Sequence, residues 1–169
     1  MELLLVRHAI AFNRDPDRWP DDGDRPLSPE GEARFRKAAR GLRTIVPSVE
    51  LVLSSPYPRA WRTAELLTEE AGWPAAQPSE ALEAERSRSD AVGAIRSQAG
   101  RGSLALVGHE PNLSELASFL LTGSERRLLL EVKKGGVVCL ALPDGLAGGK
   151  GLLRWVATPK MLRAMATGG

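Results

Sequence analysis

The sequence predicts an α/β fold: a three-layer α/β/α sandwich with a mostly parallel central sheet and antiparallel strands at one edge. Three observations predict it. Short apolar runs of strand length alternate with longer stretches whose apolar residues recur at helical spacing. The early runs, in residues 2–7, 49–55 and 103–108, are leucine- and valine-rich, as strands covered on both faces must be. The last two apolar runs follow each other with no helical stretch between them, which fits an antiparallel pair. The length of 169 residues suits one domain, residues 1–169, with a sizeable core.

Residues 2–7 read as the first buried strand. Residues 13–27, "NRDPDRWPDDGDRPL", are rich in Asp, Pro and Arg. A loop this long is either functional or disordered. Ser28-Pro29 then starts a helix, with serine as N-cap and proline at the first position. Phe35, Ala38, Ala39, Leu42, Ile45 and Val46 mark its inner face. "VELVLSS" is the second strand. "YPRAWRTAELLTEEAG" is a helix with Ala60, Ala64 and Leu67 in step and Gly72 as its stop. Residues 89–99 form a weaker helix, and "SLALVG" the third strand. Pro111 opens the next helix, with Leu113, Leu116, Ala117 and Leu120 inward and Gly123 as its stop. "GGVVCLALP" and "GLLRWVATP" are strands joined through "DGLAGGKG", a hairpin connection. The terminal "ATGG" is expected to fray.

Composition narrows the function. The net charge of +2 comes with basic residues scattered along the chain rather than in a block. Aromatic residues make up 5%, too few for a base-stacking platform, so nucleic acid is not expected as a partner. Cys139 is the single cysteine, so no internal disulfide forms; its apolar setting reads as core. No stretch has the length of a membrane span, and Arg7 interrupts the first apolar run before it could serve as a signal peptide. A cytoplasmic location without membrane contact is the default expectation.

The chain has two histidines, and each stands just past a strand: His8 after "LLLVR" and His109 after "LALVG". Arg7 precedes the first, and Arg59 lies in "SSPYPRA" after the second strand. In open sheets of this kind, ligands sit at the carboxyl ends of the strands. Taken singly, each residue has a plain explanation, such as a capping histidine or a solvated arginine. Together they would place two guanidiniums and two imidazoles on one rim. Planar guanidiniums grip phosphate oxygens bidentately. A neutral imidazole can attack phosphorus and hold the phosphoryl group briefly. "GHEPN" has no second histidine four residues on, so no zinc-binding helix is read there, and no Walker-type loop is present.

These stretches also resemble a known family. "LLLVRHAIA" is similar to the Arg-His-Gly signature of the histidine phosphatase superfamily, which has the phosphoglycerate mutase-like fold. "SSPYPRAWRTAELL" resembles its second motif and "ALVGHEPNL" its third. The short length, "DRPLSPEG" and "VGHEPNL" point to the SixA-type phosphohistidine phosphatases. The resemblance implies that His8 is the nucleophile, that Arg7, Arg59 and His109 hold the phosphoryl oxygens, and that no metal or cofactor takes part. Arg25 is a further candidate for substrate binding, with an ion pair to Asp22 or Asp24 as its alternative. Two departures stand out: Ala9 replaces the usual glycine, and Arg62 stands where glutamine is common. Glu83 and Glu85 occupy the region where larger members carry a general acid, but neither sits in a convincing motif, and both are left out of the catalytic set.

The expected substrate is a phosphorylated histidine-containing protein or a small phosphorylated molecule. Phosphohistidine phosphatase is the leading reading. A small-molecule phosphomonoesterase and a non-catalytic phosphate- or phosphoprotein-binding module are the alternatives. Mutase activity is disfavoured because the chain lacks the length for insertions that cover a sugar phosphate.

Overall fold

In chain order the elements are β1 (Glu2–Arg7), α1 (Pro29–Ile45), β2 (Val52–Ser54), α2 (Pro58–Leu66), β3 (Gln77–Pro78) and α3 (Arg88–Arg96). They continue with β4 (Ser103–Gly108), α4 (Asn112–Thr122), β5 (Val137–Ala141), β6 (Leu152–Ala157) and α5 (Pro159–Met165). This is a computed structural model that describes residues 1–143 and 147–166. The sheet runs β3-β2-β4-β1-β5-β6. Its first four strands are mutually parallel, and β5 and β6 are antiparallel additions at one edge. The expected layer architecture is therefore present.

Alternation along each strand divides the core. Leu4, Val6, Val52, Ala105 and Val107 face one way and pack with Phe35, Ala38 and Leu42 of α1, Ala64 of α2 and Leu162 of α5. Leu3, Leu5, Leu53, Leu104 and Leu106 face the other way, onto Val92 and Ile95 of α3 and Leu113, Leu116 and Leu120 of α4. Each of the buried Leu, Val, Ile and Phe side chains contributes roughly 1.5–3 kcal/mol of transfer free energy. Cys139 is fully buried in β5, as expected.

The helix starts follow the sequence signals. Ser28 Oγ accepts the Gly31 N–H at 3.0 Å, with Pro29 at the first position. Gly72 and Gly123 end their helical segments with φ of 75° and 79°. Several boundaries differ from expectation. Ile45 is 42% exposed, because the chain leaves the helix at Val46, which is buried instead. β2 is short because its pairing with β4 spans only Val52 to Ser54. α2 gives way at Leu67 to a wider turn reaching Ala71. α3 begins at Arg88 behind a Ser87–Asp90 capping box and stops at Arg96.

Two elements were not anticipated. β3 has two residues, too few for any periodicity. α5 carries the same start signal as α1: Thr158 Oγ1 accepts the Met161 N–H at 3.3 Å and Pro159 follows the cap. Residues 144–146 of the expected hairpin connection and 167–169 of the expected frayed end lie outside the described residues.

Two glycines shape the region where β1 ends. A Cβ on Gly31 would meet the Ile10 carbonyl oxygen at 1.9 Å, so only glycine lets α1 lie against the chain leaving β1. Gly135 has φ of 76°, and its N–H reaches the carbonyls of Arg7 at 3.0 Å and His8 at 3.1 Å. Among the described residues, no helix is long and apolar enough to cross a membrane.

Candidate active site

Parallel strands end on the same side, and the order β2-β4-β1 makes three carboxyl ends neighbours. The register sets Arg7 opposite Gly108, and the His8 N–H donates to the Gly108 carbonyl at 3.0 Å. His8 and His109, one residue further along each chain, are thereby brought together, with ring centroids 5.2 Å apart. The two histidines share one rim, as the strand-end argument expects.

The His8 ring is fixed by its own backbone. Nδ1 lies 2.7 Å from the Ala9 carbonyl oxygen. A carbonyl only accepts, so Nδ1 carries the hydrogen and Nε2 keeps the lone pair. Nε2 has no hydrogen-bond partner among the described residues. The ring is 6% exposed. Burial above all, then the neighbouring His109, Arg59 and Arg7, holds its pKa well below the ordinary value. At neutral pH His8 is therefore an uncharged base.

The Ala9 peptide is held in turn. Its N–H donates to Thr63 Oγ1 at 3.0 Å, and the Thr63 hydroxyl donates to the Arg59 carbonyl at 2.7 Å. One buried side chain thus links the end of β1 to the first turn of α2, which carries Arg59.

Arg59 is 4% exposed. Its Nη1 donates to the Asp22 carbonyl at 2.6 Å and Nη2 lies 3.4 Å from Asp22 Oδ2. Its guanidinium sits over the Tyr57 ring at 5.3 Å. Burial lowers its pKa from the usual value, but an arginine remains charged. Tyr57 also packs on His109, with centroids 5.3 Å apart, and its hydroxyl donates to Glu85. The Glu85 carboxylate pushes the Tyr57 pKa up to about 12.

His109 Nε2 lies 2.9 Å from Ser55 Oγ. Burial, followed by Arg59 and Arg7, depresses its pKa to about 3. Arg7 anchors through Nη1 on the Val132 carbonyl at 2.8 Å. Among the described residues, four buried side-chain nitrogen or oxygen atoms lack a partner: Arg7 Nε, Arg59 Nε, His109 Nδ1 and Glu110 Oε1. Each such group costs about 1–3 kcal/mol when left unpaired. All four belong to this rim or to the residue after it. Three are nitrogens of the sort that phosphate oxygens satisfy.

The other candidates lie further out. Arg25 donates from Nε and Nη2 to the two Asp22 oxygens at 2.8 and 3.2 Å, and from Nη1 to the Phe12 carbonyl at 2.7 Å. Asp22, held at a pKa of about 2 chiefly by Arg25, is the carboxylate that also pairs with Arg59. The irregular loop of residues 13–27 is thereby clamped onto Arg59. Glu83 pairs with Arg86 at 3.2 Å. Asn112 Nδ2 holds the turn carrying Glu83 and Glu85 through the carbonyls of Glu83, Ala84 and Arg86. Arg62 is surrounded by Glu32, Glu65 and Glu69 rather than adding free charge at the mouth.

The Arg25–Asp22 ion pair is the alternative weighed for Arg25, whereas Ser55, Thr63 and Glu110 carry no sequence signal of their own. Ser55 and Thr63 flank Arg59 within its own motif, and Glu110 follows His109, so adjacency was the available signal. Glu110 Oε2 accepts from the Ser114 hydroxyl at 2.6 Å, and burial raises its pKa. Among the described residues, no group of three or more His, Cys, Asp or Glu side chains is arranged to hold a metal ion.

A family model for the histidine phosphatase superfamily (branch 1) matches residues 3–86. An uncharacterized protein of Picosynechococcus sp. is 35% identical over 146 residues, covering 83% of this chain and 84% of that protein. The solved structure of the protein histidine phosphatase SixA complexed with tungstate aligns with a TM-score of 0.79 at 22% identity, over 95% of this chain and 98% of the other. A mycobacterial glucosyl-3-phosphoglycerate phosphatase in complex with VO3 aligns with a TM-score of 0.70 at 18% identity, over 93% and 98% of the two chains. These two structural likenesses are likenesses of fold.

Proposed function

This chain belongs to the histidine phosphatase superfamily, and from that premise we propose that it is a phosphatase acting on phosphohistidine through a covalent intermediate on His8. The observation that carries this reading is the His8 Nδ1–Ala9 carbonyl bond. It puts the hydrogen on Nδ1 and so leaves the lone pair on Nε2, in a ring that burial keeps uncharged.

In the first step Nε2 attacks phosphorus, and the bond between phosphorus and the substrate's imidazole nitrogen breaks. The leaving imidazole keeps the electron pair and its proton. Arg7, Arg59 and His109 offer donors to the phosphoryl oxygens, which matter most as charge shifts in transit. In the second step water attacks phosphorus, the Nε2–phosphorus bond breaks, and inorganic phosphate leaves. His8 returns to its neutral form. Arg25 acts one layer out as a positioning residue, by holding the Asp22 carboxylate that pairs with Arg59.

The substrate class rests on proton supply. Alkyl phosphates need a positioned acid, which contributes about 10²–10⁴-fold. Imidazole takes up its own proton with a pKa of about 6.5, so phosphohistidine arrives partly activated. Glu83 and Glu85 are engaged by Arg86 and Tyr57.

One observation favours a second reading, a small-molecule phosphomonoesterase. Glu110 is a half-buried carboxyl with a raised pKa and a buried, unpartnered oxygen, as a proton donor requires. The two readings separate by experiment. On the first, phosphohistidine exceeds aryl phosphate and aryl exceeds alkyl phosphate in kcat/KM, and Glu110→Gln leaves the order unchanged. An alkyl phosphate turned over as fast as phosphohistidine, with that rate lost in Glu110→Gln, selects the second. Base-quenched enzyme should carry acid-labile labelled phosphate on His8. Turnover persisting at the wild-type rate in His8→Ala would overturn both readings, and a module that only binds phosphate would show neither label nor turnover.

A further inference from the structure

A cavity of about 550 Å³ adjoins the catalytic rim. Its wall includes Arg7 and Ala9, the chain neighbours of His8, and its apolar part includes Ile10 and Phe35. Sheet register explains this position. Val6 of β1 lies opposite Val137 at the start of β5, and Val137 lies opposite Ala157 at the end of β6. The turn before β5 and the helix after β6 therefore stand at the same edge of the sheet as His8. They bring Lys134, Lys160 and Arg163 to the cavity.

The charge there is unbalanced. Lys134, Lys160 and Arg163 form no ion pair among the described residues. Two further cations on the cavity wall are already matched: Arg34 pairs with Glu30 at 3.2 Å, and Lys133 with Glu131. Elsewhere several surface arginines have carboxylates, as Arg36 and Arg40 do with Glu70 and Arg62 with Glu32, but what sets Lys134, Lys160 and Arg163 apart is that they share one cavity wall beside the rim. Partial burial, followed by the field of Arg7 and Arg25, lowers the Lys134 pKa. The open cations are spread rather than convergent. Lys160 and Arg163 are three residues apart on α5 and so on one helix face, while Lys134 comes from a separate turn. A compact ion meets only part of that spread. A chain bearing several negative charges meets all of it.

We propose that this trough receives an acidic polypeptide segment that flanks the phosphohistidine of a protein substrate, with Asp or Glu side chains on Lys134, Lys160 and Arg163 and an apolar side chain against Ile10. The inference rests on the phosphohistidine reading above and adds to it the recognition of the substrate's surroundings. A phosphohistidine on a protein necessarily carries its neighbours to the rim, and the cavity begins one residue from the nucleophile.

The test uses two synthetic phosphohistidine peptides of equal length, one with acidic and one with neutral flanks, and N-phosphoimidazole as a substrate without flanks. The variant is Lys160→Glu with Arg163→Glu, checked by thermal melt. The wild type should favour the acidic peptide by about tenfold in kcat/KM, the preference fading with added salt. The double variant should lose that preference and keep its rate on N-phosphoimidazole. Calorimetry with the unphosphorylated acidic peptide reads the trough without any turnover. Binding to the wild type and not to the double variant supports the trough even if no P–N bond is cleaved, in which case only the phosphohistidine reading fails. Equal rates on both peptides, or equal binding of the acidic peptide to both proteins, overturns the inference and leaves the phosphohistidine reading standing.

Discussion

Thr63 and Ala9 form the joint on which the site turns: Thr63 Oγ1 accepts the Ala9 N–H at 3.0 Å, while the Ala9 carbonyl takes the hydrogen of His8 Nδ1 at 2.7 Å. Because the same hydroxyl donates to the Arg59 carbonyl, His8 and Arg59 are tied through one side chain.

Thr63→Val keeps the shape of the residue and removes both bonds. It strands a buried N–H, so stability should fall by roughly 1–3 kcal/mol in denaturant unfolding. Below the melting transition, kcat should fall more than KM rises, since orientation rather than binding is lost. Thr63→Ser keeps the hydroxyl and should restore kcat. A serine variant as slow as the valine variant would show that the hydroxyl does not position His8.

Arg59→Ala and Arg25→Ala should behave differently. If Arg59 holds the phosphoryl group as proposed, its loss should lower kcat/KM by about a hundredfold or more, with kcat sharing the loss. Among the described residues, Arg25 hydrogen-bonds Asp22 and the Phe12 carbonyl and none of His8, Arg59 and His109. Its replacement should raise KM by less than about tenfold and leave kcat nearly unchanged, as expected for loosened positioning. Equal losses in kcat for the two variants would place Arg25 on the substrate instead.

The depressed histidines fix the sign of two pH effects. With the His8 pKa well below its ordinary value, His8 stays neutral as pH falls through 6.5. After correction for substrate ionisation, kcat/KM should show no loss at that pH. Stability moves the other way. Unfolded His109 takes up a proton below about 6.5, whereas the folded residue, with a pKa of about 3, does not. The unfolded state then binds more protons, so stability drops as pH falls through this window, by at most about 1.4 kcal/mol per pH unit for one group. The Tm of the wild type should therefore decline more steeply than that of His109→Gln between pH 6.5 and about 4.5. Parallel declines would mean that His109 is not the group responsible.

Glu83→Gln and Glu85→Gln should each leave phosphohistidine turnover within about threefold of the wild type, because loss of a true general acid costs at least about a hundredfold. Glu85→Gln should nevertheless bring the Tyr57 pKa down from about 12 towards its ordinary value, visible in an ultraviolet titration. A hundredfold loss of turnover in either variant would mark that carboxyl as the acid.

What could be read from the sequence was local or periodic. The apolar runs of β1 and β4, the Ser28-Pro29 start, and the glycine stops at Gly72 and Gly123 depend on contacts within a few residues, and they appear where the pattern puts them. Apolar runs followed by His8 and His109 were enough to mark both strand ends, because strands buried on both faces leave little else at their tips. α5 has a legible start in Thr158-Pro159, but a seven-residue helix carries too little periodicity to mark it out. Tertiary structure alone decided the rest. The 5.2 Å approach of His8 and His109 follows from β4 lying beside β1 in the register Arg7↔Gly108, a pairing across about a hundred residues of chain. The same non-local closure brings Asp22 onto Arg59, the Thr63 hydroxyl onto Ala9, and Lys134 onto the edge that carries Lys160 and Arg163. Strand order and register set those meetings, and they are chosen by the burial of two whole sheet faces, a sum over the core that no single stretch of sequence contains.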